Sequence, residues 1–138
     1  MSAAGVLAVA CNSGRVLVTR RSMLVSSPLT WSFPCGGVER IRGALETPAE
    51  TAVREFYEET LVLLPKGDLR PVGRYADGSV SLDIFVCYFA NEFAPHLNEE
   101  NDAFLWLTPQ ELLSLKSKHY GFEAMLQSHV LINALMAC

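Results

Sequence analysis

No Cys-x-x-Cys pair, no grouped histidines and no long apolar run occur in this chain, and each absence removes a class of function. The four cysteines, Cys11, Cys35, Cys87 and Cys138, are scattered. Their spacing offers no structural zinc site, and a reduced, cytoplasmic protein is expected. His96, His119 and His129 stand far apart and read as structural or exposed residues. Half of the residues are hydrophobic, yet no apolar run approaches the ~20 residues that cross a bilayer. The apolar run from Gly5 to Cys11 has no basic flank before it, so it reads as a buried strand rather than a signal peptide. Repeats, linkers and low-complexity stretches are missing. At 138 residues, a single domain spanning 1–138 is expected. The formal net charge of −4 argues against a general nucleic-acid binder.

What is present is an unusual crowd of acids. Residues 46 to 62 hold Glu46, Glu50, Glu55, Glu58 and Glu59 against Arg54 alone, a net charge of −4 that equals that of the whole chain. Glu55, Glu58 and Glu59 stand at i, i+3 and i+4, which places all three on one face of a helix. Ala49, Ala52, Val53, Phe56 and Thr60 fall on another face, able to pack on a core. Like charges at ~5 Å repel by about 3 kcal/mol per pair at an effective dielectric of ~20. Such crowding marks either a solvated acidic surface or a site for a hard divalent cation with oxygen ligands. Thr47-Pro48-Ala49-Glu50 is a capping box with proline at the first helical position. It predicts a helix from Pro48 to about Val62, along which Arg54 bridges Glu50 and Glu58. Between Cys11 and Leu45 the balance reverses, with Arg15, Arg20, Arg21, Arg40 and Arg42 against Glu39. Acids able to hold metal beside arginines able to hold phosphate suggest a substrate carrying both.

Elsewhere, Val6–Cys11 and Arg15–Arg21 read as strands around the turn signal Asn12-Ser13-Gly14. Strands are expected near Arg70–Ala76 and Ser81–Ala90, the second buried on both faces, and again at Phe104–Leu107. Thr108-Pro109-Gln110-Glu111 repeats the capping box, and Phe122–Ala137 reads as one amphipathic helix. Strands interspersed with helices give an α/β layered domain.

The acidic segment resembles the Nudix box of the Nudix hydrolase family, the MutT-like nucleoside diphosphate-X hydrolases. Glu46, seven residues, Arg54-Glu55, apolar Phe56, Tyr57, Glu58-Glu59, Thr60 and apolar Val62 follow the box. Trp31 to Glu39, containing Pro34 and Gly36-Gly37, is similar to the family's lead-in. Phe104 to Leu112, containing Trp106, is similar to its late strand and following helix. The box departs from the pattern twice. Eight residues, not five, separate Gly37 from Glu46, an insertion at Arg40–Ala44. Leu61 stands in place of the last glycine, which lets the helix run another turn.

The resemblance implies a Nudix-type α/β/α sandwich with a mixed β-sheet. It implies hydrolysis of a pyrophosphate bond by attack of water on phosphorus, with Mg2+ (or Mn2+) as Lewis acid and a glutamate as general base. Glu55, Glu58, Glu59 and the Gly36 carbonyl are the implied metal ligands, and Glu46 and Arg54 brace the loop against the helix. The late acid is Glu100, with Glu99 as alternative, as a further ligand or the base; otherwise Glu55 is the base. Arg20 and Arg21 read either as phosphate binders or as the solvated end of a strand. Trp31, Phe33, Tyr75 or Phe85 could stack on a nucleobase. The Asn98–Asp102 loop is expected to be mobile, with Glu100 far from the helix acids until substrate binds. Cys35 reads as a loop residue rather than a nucleophile. The expected substrate is a (deoxy)nucleoside triphosphate or a small nucleotide sugar. The extra motifs that accompany coenzyme A, reduced dinucleotides, diadenosine polyphosphates or ADP-ribose are missing from their places. Two other classes stay open: a binding module without catalysis, and a glycosyl hydrolase that cleaves at carbon. No nucleic acid or membrane partner is expected, and a homodimer is left open.

Overall fold

The computed structural model describes residues 1–138, apart from the side chain of Asp77. In chain order the elements are β1 (Ser2–Ala10), β2 (Arg15–Arg21), β3 (Trp31–Ser32), β4 (Cys35–Gly37), β5 (Arg40–Ile41), β6 (Ala44–Leu45), α1 (Pro48–Thr60), β7 (Arg70–Asp77), β8 (Val80–Phe89), β9 (Asn101–Leu107), α2 (Pro109–Ser114), α3 (Tyr120–Met125) and α4 (His129–Leu135). The main sheet runs β3-β2-β1-β8-β7, with β4 added to β1 and β9 to β2. β1 and β8 are parallel and the other pairs are antiparallel, so the sheet is mixed. Alternate residues of β1 serve two cores. Leu7 and Val9 face a cluster completed by Ile84, Val86, Leu112, Phe122, Leu131 and Leu135. Ala4, Val6 and Ala8 face Ala52 and Phe56 of α1, together with Leu17 and Cys87. Helices therefore cover both faces, the layered α/β arrangement expected.

One feature of the sheet creates the site. β1 and β2 pair only at Val9↔Val16 and Ala10↔Arg15, then diverge. β1 takes β4 at Ala3 to Gly5, while β2 takes β3 at Thr19 and Arg20. Phe33 and Pro34 fill the fork, where Val6 N donates to the Pro34 carbonyl at 3.1 Å. The glycine pair is thereby carried to the middle of α1, at Arg54 and Glu55.

Several local expectations need correction. α1 ends at Thr60, not Val62. Leu61 adopts the left-handed conformation (φ 60°, ψ 22°) and its N–H donates to the Tyr57 carbonyl. The chain leaves α1 as a glycine would, at a cost of roughly 1–2 kcal/mol for an L-residue. The insertion is a small β5–β6 hairpin whose turn, Arg42-Gly43, has positive φ at both residues (51° and 83°), the geometry that matches strand twist. The single C-terminal helix is two, α3 and α4. Ser128 breaks it by accepting from Leu131 N as the cap of α4 and accepting from the Tyr75 hydroxyl at 3.0 Å. Both faces of β8 are covered, but only Ile84, Val86 and Cys87 are fully buried. The cysteines are not all thiols. Cys11 and Cys138, 127 residues apart, form a disulfide across a 5.2 Å Cα separation, so cysteine usage gives no ground for a reducing compartment. No helix among the described residues is long and apolar enough to cross a membrane.

Candidate functional site

The acidic face of α1 divides in two. Glu55 and Glu59, one turn apart, are 8% and 4% exposed and point into a cavity of 270 Å3 lined also by Gly36, Gly37, Glu100 and Asn101. Glu55, Glu59 and Glu100 offer carboxylate oxygens that all lie within 4.8 Å of one another. Gly36 packs directly against Glu55: a Cβ there would strike its carboxylate. Only glycine lets the backbone come so close to the acids. Glu58, the third acid of the helix face, is turned outward to Arg54 (3.2 Å) and is 48% exposed at the side chain; it is not brought to the trio.

The late loop, expected far from the acids until substrate binds, is instead tied beside them. Ser22 N donates to the Glu100 carbonyl at 2.9 Å, and Ser22 Oγ donates to the Glu99 carbonyl at 2.6 Å. Asn98 Oδ1 accepts from Glu100 N at 3.0 Å. Asn101 Nδ2 donates to Glu59 Oε1 at 3.0 Å. These bonds aim Glu100 at the helix and hold Glu99 by its backbone, so Glu100 lines the acidic cavity and Glu99 does not.

Arg54 organises the other half of the face. Its Nε and Nη2 donate to Glu46 at 2.8 and 3.0 Å, and Nη2 donates to the Gly37 carbonyl at 2.9 Å. Nη1 meets Glu39 and Glu55, each at 2.9 Å, and Glu58. The bridge expected from Arg54 to Glu50 is not formed. Glu50 instead accepts from Thr47 N in the capping box and approaches Lys66 at 3.7 Å. Glu46 also accepts from Glu39 N and the Thr51 hydroxyl. One guanidinium thus fastens the glycine loop, the hairpin base and the helix together.

Charge distribution follows from these contacts. Hydrogen bonding to Arg54 holds the Glu46 carboxyl down at about 2, and Glu46 in turn raises the Arg54 guanidinium above its ordinary value. Burial pushes Glu55 upward, partly offset by Glu59 and Arg54. Burial pushes Glu59 well above the carboxylate range, and its contact with Glu55 adds to the shift. Burial, with Glu59 and Glu55 nearby, pushes the Cys35 thiol upward. That is the wrong direction for a nucleophile.

A second cavity, of 470 Å3, adjoins the acidic one. The two share Arg21, Ser32, Phe33, Cys35, Gly36 and Gly37 as a common wall. The larger one is mostly apolar, closed by Tyr75 and Leu82 from the sheet and by Phe122 and Met125 from α3. Of the expected substrate residues, Arg21, Phe33 and Tyr75 reach these cavities. Arg21 is held by the carbonyl and hydroxyl of Ser26. Arg20 and Trp31 reach neither; Arg20 pairs with Asp102 at 2.8 Å and lies over the Trp31 ring. Phe85 packs in the α1 core. The α3 wall escaped sequence reasoning because a helix period marks its apolar residues as core, whichever side of a cavity they close.

The donor set suits a hard divalent cation. Three carboxylates converge, and Glu59 Oε2 is buried with no hydrogen-bond partner among the described residues, an oxygen that calls for a cation. The NUDIX domain family model matches residues 1–126. No curated protein sequence matches the chain. Among solved structures, a NUDIX hydrolase from Alicyclobacillus acidocaldarius is 21% identical with TM-score 0.74, over 99% of this chain and 91% of that one. The E. coli dihydroneopterin triphosphate pyrophosphohydrolase is 20% identical with TM-score 0.70, over 94% of each chain. A MutT/nudix family protein from Enterococcus faecalis is 16% identical with TM-score 0.65; the match covers 76% of this chain and 42% of that longer one. At these identities the structures establish the likeness of fold. The family model, together with an acidic helix facing a glycine loop, establishes that the chain belongs to the Nudix hydrolase family of pyrophosphohydrolases.

Proposed function

We infer that this chain, acting as one domain, hydrolyses the pyrophosphate bond of a nucleoside diphosphate linked to a further group, with a (deoxy)nucleoside triphosphate or small nucleotide sugar as substrate. The observation that carries the reading is the shared wall. An acidic cavity able to hold Mg2+ or Mn2+ adjoins an apolar cavity able to hold a ring. A bound divalent cation would neutralise phosphate oxygens and act as Lewis acid.

The chain's residues take the following parts. Glu55, Glu59 and Glu100 hold the cation, with the Gly36 backbone beside them. Glu58 supports the site through Arg54. Arg21, on the shared wall, leaves Ser26 to meet phosphate, for which its fork is suited. Phe33 and Tyr75 border the ring. Glu100, the most exposed of the three acids, takes the proton of the attacking water.

A nucleotide panel tests the reading. With magnesium, at least one triphosphate or nucleotide sugar should be cleaved, with oxygen from labelled water appearing in phosphate. Full turnover in excess chelator, or label in the sugar, would refute it. A mutant pair tests the base. Glu100→Gln should lower kcat at least about tenfold, within the usual worth of general-base catalysis, with little change in melting temperature. Glu99→Gln should do far less, and the reverse order would move the role to Glu99.

A further inference from the structure

We propose that Asn101 is a positioning residue for the cation site, holding Glu59 so that its second oxygen alone is presented to the cavity. The inference rests on the reading of Glu59 as a cation ligand.

Asn101 and Glu59 are 42 positions apart in the chain, and both are buried, at 7% and 4% exposure. The Asn101 amide donates to Oε1 at 3.0 Å, while Oε2 has no partner among the described residues. The two oxygens of one carboxylate are thus made unequal. One is occupied by a protein donor and the other is kept for a ligand. The chemistry of the donor matters. A lysine or arginine here would neutralise Glu59 and compete with a cation, as Arg54 neutralises Glu46. A carboxamide orients the carboxylate and leaves its charge intact.

The placement of Asn101 has its own cause. The β2–β9 ladder shifts register between Arg20 and Arg21: Arg20 faces Ala103, but Arg21 faces Asn101. An unbroken ladder would put Asp102 opposite Arg21. The bulge skips Asp102, which pairs with Arg20 instead, and brings an uncharged amide to the acids. Bulges often re-aim side chains beside active sites. Asn101 also follows Glu100 directly, so a single hydrogen bond joins the two segments that supply the trio. Losing it releases Glu59 Oε1 from β9, while Ser22 still holds the Glu99 and Glu100 carbonyls.

The test reads binding directly, with Mn2+ as the probe and electron paramagnetic resonance of the free ion as the signal. Outer partners of metal ligands are worth about 10–100-fold in affinity. Asn101→Ala should therefore weaken Mn2+ binding by at least tenfold. Turnover should fall at limiting metal and recover substantially at saturating metal, a split that general loss of structure would not produce. Asn101→Ser, too short to reach Oε1, should behave alike and serves where the alanine variant does not fold. Because Asn101 acts through Glu59, the affinity losses of Asn101→Ala and Glu59→Gln should be non-additive in a double-mutant cycle. Additive losses, or unchanged Mn2+ affinity in both Asn101 variants, overturn the proposal alone. Failure of the unmutated protein to bind Mn2+ overturns it together with the cation reading.

Discussion

Glu59→Gln should lower kcat by at least about a hundredfold, equivalent to about 2.7 kcal/mol of transition-state stabilisation, while the metal-free protein becomes more stable at neutral pH. The two effects share one cause. Glu59 is buried beside Glu55 with an unpartnered oxygen, an arrangement suited to a cation and costly without one. Its folded-state proton affinity is raised, by burial first and by Glu55 beside it, so between the unfolded and folded values the folded metal-free protein binds more protons than the unfolded chain. The stability contributed by this group is complete below the ordinary glutamate value of about 4.3 and is lost as pH rises through the folded value. Glutamine keeps the shape and can still accept from Asn101, but removes that pH dependence. Thermal melts in chelator at increasing pH above 4 should show a shallower decline for the variant than for the unmutated protein. Near-normal turnover at limiting magnesium, or an unchanged slope of stability with pH, would show that Glu59 is not the buried ligand.

Arg54→Ala should be the most destabilising single change at the site, costing about 3–5 kcal/mol, the range for removing one partner of a buried ion pair. The side chains left behind are largely enclosed: Glu46 is 7% exposed and Glu55 11% exposed. The Gly37 carbonyl and Glu39 lose the same donor, so the glycine loop and the hairpin base come loose from α1. Arg54→Lys should recover only part of the loss, because an ammonium cannot serve Glu46 with two nitrogens while reaching Gly37. The acid response separates this brace from the cation site. Glu46 is held at about 2, below its unfolded value of about 4.3. Its contribution is therefore present above about pH 4.3 and is lost as pH falls toward 2. In Arg54→Ala that acid-side loss should shrink, which urea titrations between pH 3 and 7 would register. A loss of less than about 1 kcal/mol would mean that the web of contacts is surface decoration.

The identity of the elements was largely written in local patterns. Thr47 and Thr108 open their helices with the capping boxes their neighbours prescribe. The turn at Asn12-Ser13-Gly14 separates β1 from β2. The spacing of Glu55 and Glu59 places both carboxylates on one side of α1. Each depends on residues within about four positions, where backbone geometry is nearly fixed by sequence. Helix ends were less legible. Leu61 takes a conformation that glycine would favour, and Ser128 splits a continuous amphipathic pattern, because caps and distant partners outweigh intrinsic preference there.

Spacing alone could not tell which acids meet. Glu55, Glu58 and Glu59 are equivalent by helix period, yet Arg54 draws Glu58 outward and β9 draws Glu59 inward. Nor could the chain order reveal that a bulge sends Asn101 rather than Asp102 to the acids. The same holds for α3, which closes a cavity begun by the glycine loop, and for Cys11 reaching Cys138 across 127 residues. Hydrophobic periodicity and caps act over a turn or two of chain and were therefore readable in advance. The carboxylate trio, the arginine brace and the two joined cavities depend on how β1 and β2 fork and on which side chains the packed layers bring within hydrogen-bonding distance. That is a property of the folded chain, since contacts between distant residues form only when burial of both cores offsets the entropy of closing the loops between them.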